Sequence, residues 1–146
     1  MQVEQFLEQS AERTPEKVAL ICGRQRLTYA TLEARCNQLA NALLAGDLKR
    51  CDRVAIYLEN IPEAAVGVFG ALKAGGVFLV INPTTKMDKL AYILNNCRAS
   101  VLITSRKRAE EVAAIWPTVP YLRTIVVVDG VEKSFATVGK RKVVYL

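Results

Sequence analysis

The chain has 146 residues, of which 51% are hydrophobic and 23% charged, with a net charge of +6. This composition excludes a disordered segment and fits one domain, or a piece of a larger one, able to bury roughly 70% of its unfolded surface. The charge is scattered except at Arg106-Lys107-Arg108 and Lys140-Arg141-Lys142. Nucleic-acid binders gather such charge on one face with interleaved aromatics, so both clusters read as solvated surface and no nucleic-acid partner is expected.

The sequence contains no histidine, which removes Ser-His and Cys-His catalytic pairs and weakens the case for a metal site. Cys22, Cys36, Cys51 and Cys97 lack Cys-x-x-Cys spacing and sit in apolar stretches. That is the pattern of buried free thiols in a reducing cytosol. Glu4 and Glu8 lie where a signal peptide carries positive charge, so a cytoplasmic location is expected. The longest apolar stretch, residues 64–81, has Lys73 at its middle and Gly67, Gly70, Gly75 and Gly76 within it. A charge at mid-membrane costs about 2.5–3.5 kcal/mol, so this stretch reads as a buried helix followed by a buried strand, not a transmembrane segment.

In chain order, Val3, Phe6, Leu7 and Ala11 recur at helical spacing, and Thr14-Pro15 ends that helix. Val18 to Cys22, a polar turn at residues 23–26 and Leu27-Thr28-Tyr29 give a hairpin. Thr28 is placed to cap the next helix, although Thr31 stands where a full capping box has Glu or Gln. Leu32, Cys36, Leu39, Ala40 and Leu43 form one face of that helix, which stops near Gly46. A charged loop leads to a strand at residues 53–58, and Pro62 opens a helix rich in alanine and glycine. Gly75-Gly76 ends it, and the continuous run Val77–Ile81 reads as a strand buried on both faces, stopped by Asn82-Pro83.

Thr85 with Asp88 marks a further helix start, Met87, Leu90, Ala91 and Leu94 its face, and Asn95-Asn96 its end. Residues 99–104 form a short buried strand. Ser105 caps a helix that turns Ala109, Val112, Ala113 and Trp116 inward, and residues 124–128 form the next strand, ended by Asp129-Gly130. The sequence thus predicts an α/β fold: a helix and hairpin, then a βαβαβαβ parallel sheet flanked by helices. Residues 1–130 are read as one unit and 131–146 as a tail or truncated continuation, because the pattern fades before Val143-Val144-Tyr145-Leu146, which looks like a strand entered and abandoned.

An open parallel sheet binds ligands beyond the carboxyl ends of its strands. Glu59-Asn60, Asn82-Pro83-Thr84-Thr85, Thr104-Ser105 and Asp129-Gly130 fall there. No G-x-G-x-x-G turn and no G-x-x-x-x-G-K-[ST] loop is present. Gly75-Gly76 lies at a helix C-terminus, the wrong pole for phosphate. Thr84-Thr85 has the chemistry to hold an anion, but capping is preferred. Glu59 and Glu63 have the chemistry of an acid–base pair, but favourable helix-dipole contacts are preferred, as they are for Lys73. Tyr57 and Trp116 read as core. No catalytic, cofactor-binding or metal-ligating residue is assigned: the residues describe a scaffold without a reaction centre.

Leu27-Thr28-Tyr29-Ala30-Thr31-Leu32 resembles the first motif of the adenylate-forming (AMP-binding) superfamily, which includes acyl-CoA synthetases and peptide-synthetase adenylation domains. Asp52-Arg53-Val54-Ala55-Ile56 is similar to that family's GDRVAI strand, and Leu72 to Asn82 to its LKAGxAYxPxD motif. The Ile-Asn-Pro ending is more like acyl-CoA synthetases. The likeness runs in order from about Phe6 to Val128, with Cys51 standing where the family has Gly and Val80 where it often has Pro.

The resemblance implies part of a larger adenylate-forming N-terminal domain. It implies a parent reaction in which ATP activates a carboxylic or fatty acid to an acyl-adenylate that coenzyme A captures as a thioester. ATP, Mg²⁺ and CoA would be the parent's cofactors, and the remainder of the synthetase this chain's partner. The Ser/Thr/Gly-rich loop with Lys that such enzymes use on ATP phosphates is not among these residues. An N-terminal fragment inactive by itself is expected; a stand-alone, non-catalytic α/β binding or interaction module is the alternative.

Overall fold

The computed structural model describes residues 1–129, 136–138 and 141–145. Helix α1 (Val3–Arg13) precedes an antiparallel hairpin of β1 (Val18–Cys22) and β2 (Gln25–Thr28), which forms a sheet of its own. Helix α2 (Tyr29–Ala45) starts where expected: Thr28 Oγ1 accepts from the Thr31 amide at 3.2 Å, and the Thr31 hydroxyl, in place of a glutamate, lies 3.0 Å from the same oxygen.

A strand–helix alternation follows: β3 (Arg53–Tyr57), α3 (Pro62–Lys73), β4 (Val77–Val80), α4 (Met87–Asn96), β5 (Ala99–Thr104), α5 (Arg106–Ile115) and β6 (Thr124–Val127). A 3₁₀ turn at Trp116–Thr118 holds Pro117 just past α5. β7 (Ala136–Val138) and β8 (Arg141–Tyr145) complete a six-stranded sheet ordered β4-β3-β5-β6-β8-β7. All pairings are parallel except β7 with β8. The stretch that reads as an abandoned strand is a full member of the sheet, with Val143 opposite Ile125 and Tyr145 opposite Val127. Gly130, residues 131–135, 139–140 and Leu146 lie outside the described residues.

Two cores sandwich the sheet. One packs α1, α2 and α3 over Val54, Ile56, Val101, Ile103, Val126 and Val144. The other packs α4, α5 and the 3₁₀ turn over Ala55, Tyr57, Leu102, Ile125 and Val127. Adjacent residues of β3, β5 and β6 go to opposite faces, which is why these strands are continuous apolar runs. Gly70 lets α3 lie against α2: a Cβ there would stand 2.6 Å from Leu39 Cδ2. Gly75 takes φ +76° and turns the chain from α3 into β4.

Contrary to what its apolar run predicts, β4 is not buried on both faces. It ends the sheet with β3 as its one neighbour, leaving Val77 47%, Phe78 39% and Val80 58% exposed; Ile81, just past it, is buried. An apolar run records a need for cover, and among the described residues part of that cover is missing. Val3 and Phe6 are exposed because α1 offers only Leu7 to the core. Ala113 faces solvent, and α4 begins at Met87 without a side-chain cap, so Thr85 is not its cap. Of the cysteines only Cys36 is buried; Cys51 is exposed, on a turn with φ +66°.

Candidate functional site

The strand order reverses between β3 and β5. From β3 the chain leaves through α3 on one face; from β5 it leaves through α5 on the other. The loops after these two strands therefore part and open a crevice at the carboxyl edge of the sheet. Leu58, Glu59 and Asn60 stand on one side, Ser105 and the first turn of α5 on the other.

Tyr57 ends β3 with its ring fully buried and its hydroxyl at the edge of the sheet. That hydroxyl donates to the Thr85 carbonyl and accepts from Arg108 Nη1, both at 2.6 Å. The Arg108 guanidinium lies 4.6 Å from the Tyr57 ring centroid, with Glu59 at 3.5 Å and Glu111 at 3.9 Å. Burial pushes the Tyr57 phenol above its ordinary value, with Glu111 and Glu59 in the same sense and Arg108 opposing. The buried Thr104 hydroxyl donates to the Tyr57 carbonyl at 2.8 Å and ties β5 to β3 at the crevice floor.

Helix α5 begins with Arg106, Lys107 and Arg108 at its positive pole, an arrangement that like-charge repulsion disfavours. Asp129 offsets part of this by accepting from the Arg106 amide, and the Ser105 hydroxyl oxygen accepts from the Arg108 amide at 3.4 Å. Arg106 also pairs with Glu110 at 3.7 Å, so carboxylates stand among the positive charges along this rim. On the α2–α3 side of the sheet, a cleft of about 270 Å³ runs between Arg35, Gln38 and Glu63 at its mouth and Leu39, Val66, Ile103 and Val128 along its walls.

Glu59 and Glu63 are directed to different arginines: Glu59 to Arg108, and Glu63, in the first turn of α3, to Arg35 at 3.6 Å. Thr84 turns inward on its own loop, its amide and hydroxyl both donating to Asn82 Oδ1. Lys73 lies far from the crevice, in the last turn of α3. Its side chain is only 7% exposed and pairs with Glu33 at 2.8 Å and with Glu8, binding α1 to α2 and α3. Burial pulls the Lys73 ammonium down, but the hydrogen bonds to Glu33 and Glu8 more than restore it, leaving it above 10.5. Among the described residues no cluster of three or more His, Cys, Asp or Glu side chains could hold a metal ion.

The residue that sequence reasoning missed is Arg108. It reads as part of a solvated charge run, and Tyr57 as ordinary core. Only the adjacency of β3 and β5 brings them together; no local signal in the sequence does.

The fold defines a doubly wound α/β scaffold. The family model for AMP-binding enzymes matches residues 7–144, and the chain belongs to that family. It is 32% identical over 140 residues, 95% of its length, to the medium/long-chain-fatty-acid–CoA/3-oxocholest-4-en-26-oate–CoA ligase of Mycobacterium tuberculosis, of which it spans 26%. It is 43% identical over 108 residues, 74% of its length, to a linear gramicidin synthase of Brevibacillus parabrevis, spanning 1% of that protein. The anthranilate CoA ligase AuaEII, solved with anthranoyl-AMP, superposes on 87% of the chain with a TM-score of 0.82 and 28% identity; the match covers 25% of AuaEII. The N-terminal subdomain of Klebsiella oxytoca NpsA, solved with anthranilyl-AMSN, gives a TM-score of 0.67 and 29% identity over 70% of the chain and 27% of that subdomain. No helix among the described residues is long and apolar enough to cross a membrane.

Proposed function

We propose that this chain is the opening part of an AMP-forming acid–CoA ligase. The observation that carries the reading is the 140-residue match to a fatty-acid–CoA ligase, running from the first helix to the last strands. In the reaction proposed, a carboxylate attacks the α-phosphate of ATP, giving an acyl-adenylate and pyrophosphate. The thiol of coenzyme A then takes the acyl group and releases AMP. ATP, Mg²⁺ and CoA would be the cofactors, in a cytoplasmic enzyme of fatty-acid or related acid metabolism.

The residues present contribute scaffold to that reaction. They build the parallel sheet and the crevice at its carboxyl edge. They include no Ser/Thr/Gly-rich loop for ATP phosphates, and the chain spans about a quarter of its CoA-ligase relatives. The chain alone is therefore inert, and the remainder of a synthetase is its partner.

A second reading, the front of a peptide-synthetase adenylation domain, is favoured by the higher identity to the gramicidin synthase. Two measurements decide. ATP–pyrophosphate exchange by the purified 146-residue chain with fatty and aromatic acids should be absent, and robust exchange would overturn the claim of inertness. Nucleotide sequence past the Leu146 codon, read in three frames, should encode the missing phosphate loop. The polypeptide so restored should release a CoA thioester; transfer of the acyl group only to a carrier protein would favour the second reading.

A further inference from the structure

The loop from Asn82 to Lys86, between β4 and α4, is bonded mainly to itself. The Thr84 amide and hydroxyl both donate to Asn82 Oδ1, and the Thr85 amide donates to the Asn82 carbonyl at 3.0 Å. Asn82, Thr84 and Lys86 are exposed, and α4 opens at Met87 without a side-chain cap. Apart from the first turn of α4, one hydrogen bond among the described residues ties this loop to the rest of the molecule. It is the bond from the Tyr57 hydroxyl to the Thr85 carbonyl, at 2.6 Å.

That hydroxyl has a single proton, and Arg108 can only donate. Arg108 Nη1, at 2.6 Å, therefore fixes the proton on Thr85. A donor on the phenolic oxygen also polarises it and strengthens its own donation. Arg108 in turn has a choice of partners. Glu59, on the loop after β3, lies 3.5 Å from its Nη2, and Glu111, further along α5, lies 3.9 Å from its Nη1. Both distances exceed the roughly 2.7–3.2 Å of a well-formed N–H···O bond, so the guanidinium is committed to Tyr57, over whose ring it also sits.

We infer that Tyr57 and Arg108 form a relay through which α5 governs the Asn82–Lys86 loop. With Arg108 on the hydroxyl, the proton stays on Thr85 and the loop is held to the end of β3. With Arg108 drawn across to Glu59 or Glu111, the hydroxyl turns in the plane of its ring and donates elsewhere, and the loop is released as an internally bonded unit. No hydrogen bond or ion pair among the described residues joins Arg108 to residues 82–86, so its influence there passes through the phenol. The loop follows β4 and α5 follows β5, with β3 between the two strands, so the relay links elements on either side of Tyr57. It is independent of the reaction proposed.

Backbone ¹⁵N relaxation on the 146-residue chain tests it. The Thr84, Thr85 and Lys86 amides should have order parameters near the rigid-backbone value of about 0.85. Tyr57→Phe, which keeps the ring and removes the hydroxyl, should lower them below about 0.6. Arg108→Met should lower the same three part of the way, and the double variant should go no lower than Tyr57→Phe alone. Glu59→Gln, which removes a competitor for Arg108, should leave them at the wild-type value. In every variant β3 and β5 should keep their order. A wild-type loop already below about 0.6, or a loop that stays rigid in Tyr57→Phe, would overturn the inference. So would a loop indifferent to Arg108→Met, or a further loss in the double variant, since Arg108 would then act by another route. Loss of order spreading equally through β3 and β5 would overturn it too, reducing Tyr57 to core support.

Discussion

Replacing Cys51 with glycine should stabilise the protein. Cys51 holds φ +66°, in the left-handed region where a Cβ crowds the following carbonyl at a cost of about 1–2 kcal/mol. Glycine removes that cost but brings a freer unfolded chain, worth about 0.4–1 kcal/mol in the other direction. The side chain is exposed, so no packing is lost. The local hydrogen bonds, from the Cys51 amide to the Gly75 carbonyl at 2.8 Å and from Arg53 Nη1 to the Cys51 carbonyl at 3.2 Å, use only the backbone of residue 51 and survive. The net gain is about 0.5–1 kcal/mol, a rise in Tm of about 1–4 °C for a chain of this length. Thermal and urea unfolding of Cys51→Gly beside Cys51→Ala measure it. Alanine keeps the Cβ and should gain nothing. An unchanged or lowered Tm for glycine, or an equal gain for alanine, would refute the argument from backbone strain. Glycine at this position is also what the resemblance to the GDRVAI motif leads one to expect.

Gly70→Ala should destabilise by about 1–2 kcal/mol in urea unfolding: overpacking against Leu39 exceeds the roughly 1 kcal/mol of helix propensity gained. Gly67→Ala, whose Cβ would meet the end of the Ile56 side chain at 3.1 Å, should be milder. Lys73→Met should cost about 3 kcal/mol by leaving Glu8 and Glu33 without their cation, the low end for a buried pair because Glu8 is partly exposed. Since the folded protein holds the Lys73 ammonium above 10.5, its extra stability is fully present below that pH and is lost as pH rises through the raised value. The gap between wild type and variant should therefore stay constant from neutral pH to about 10 and close beyond it. In a native iodoacetamide time course read by mass spectrometry, exposed Cys51 should label first. Cys36, buried and with its thiol pushed up to about 12 by burial and by Glu33 against the opposing Lys73, should label last, with unfolding.

Much of the fold was legible because local rules and tertiary demands agree. Thr28 caps α2, Ser105 caps α5, Gly75 turns the chain at positive φ, and the runs at β3, β5 and β6 are apolar on both faces because helices cover both. These signals act over a few residues and are written where they act. The alternation of strand and helix sufficed for a parallel sheet, since crossovers of that length admit little else.

Strand order is not written locally, and what depends on it came only from the tertiary structure. Val77–Val80 is as apolar as a central strand, yet it lies at the edge, because hydrophobicity states that a strand seeks cover and not which neighbours supply it. Val143 to Tyr145 reads as a strand cut short until β6 is found beside it. Arg108 reads as a surface charge until β5 settles next to β3 and delivers it to Tyr57, a contact between residues 51 positions apart. The sequence determined the elements and the family; the order in which the strands lie side by side decided the crevice, the meeting of Arg108 with Tyr57 and the open edge.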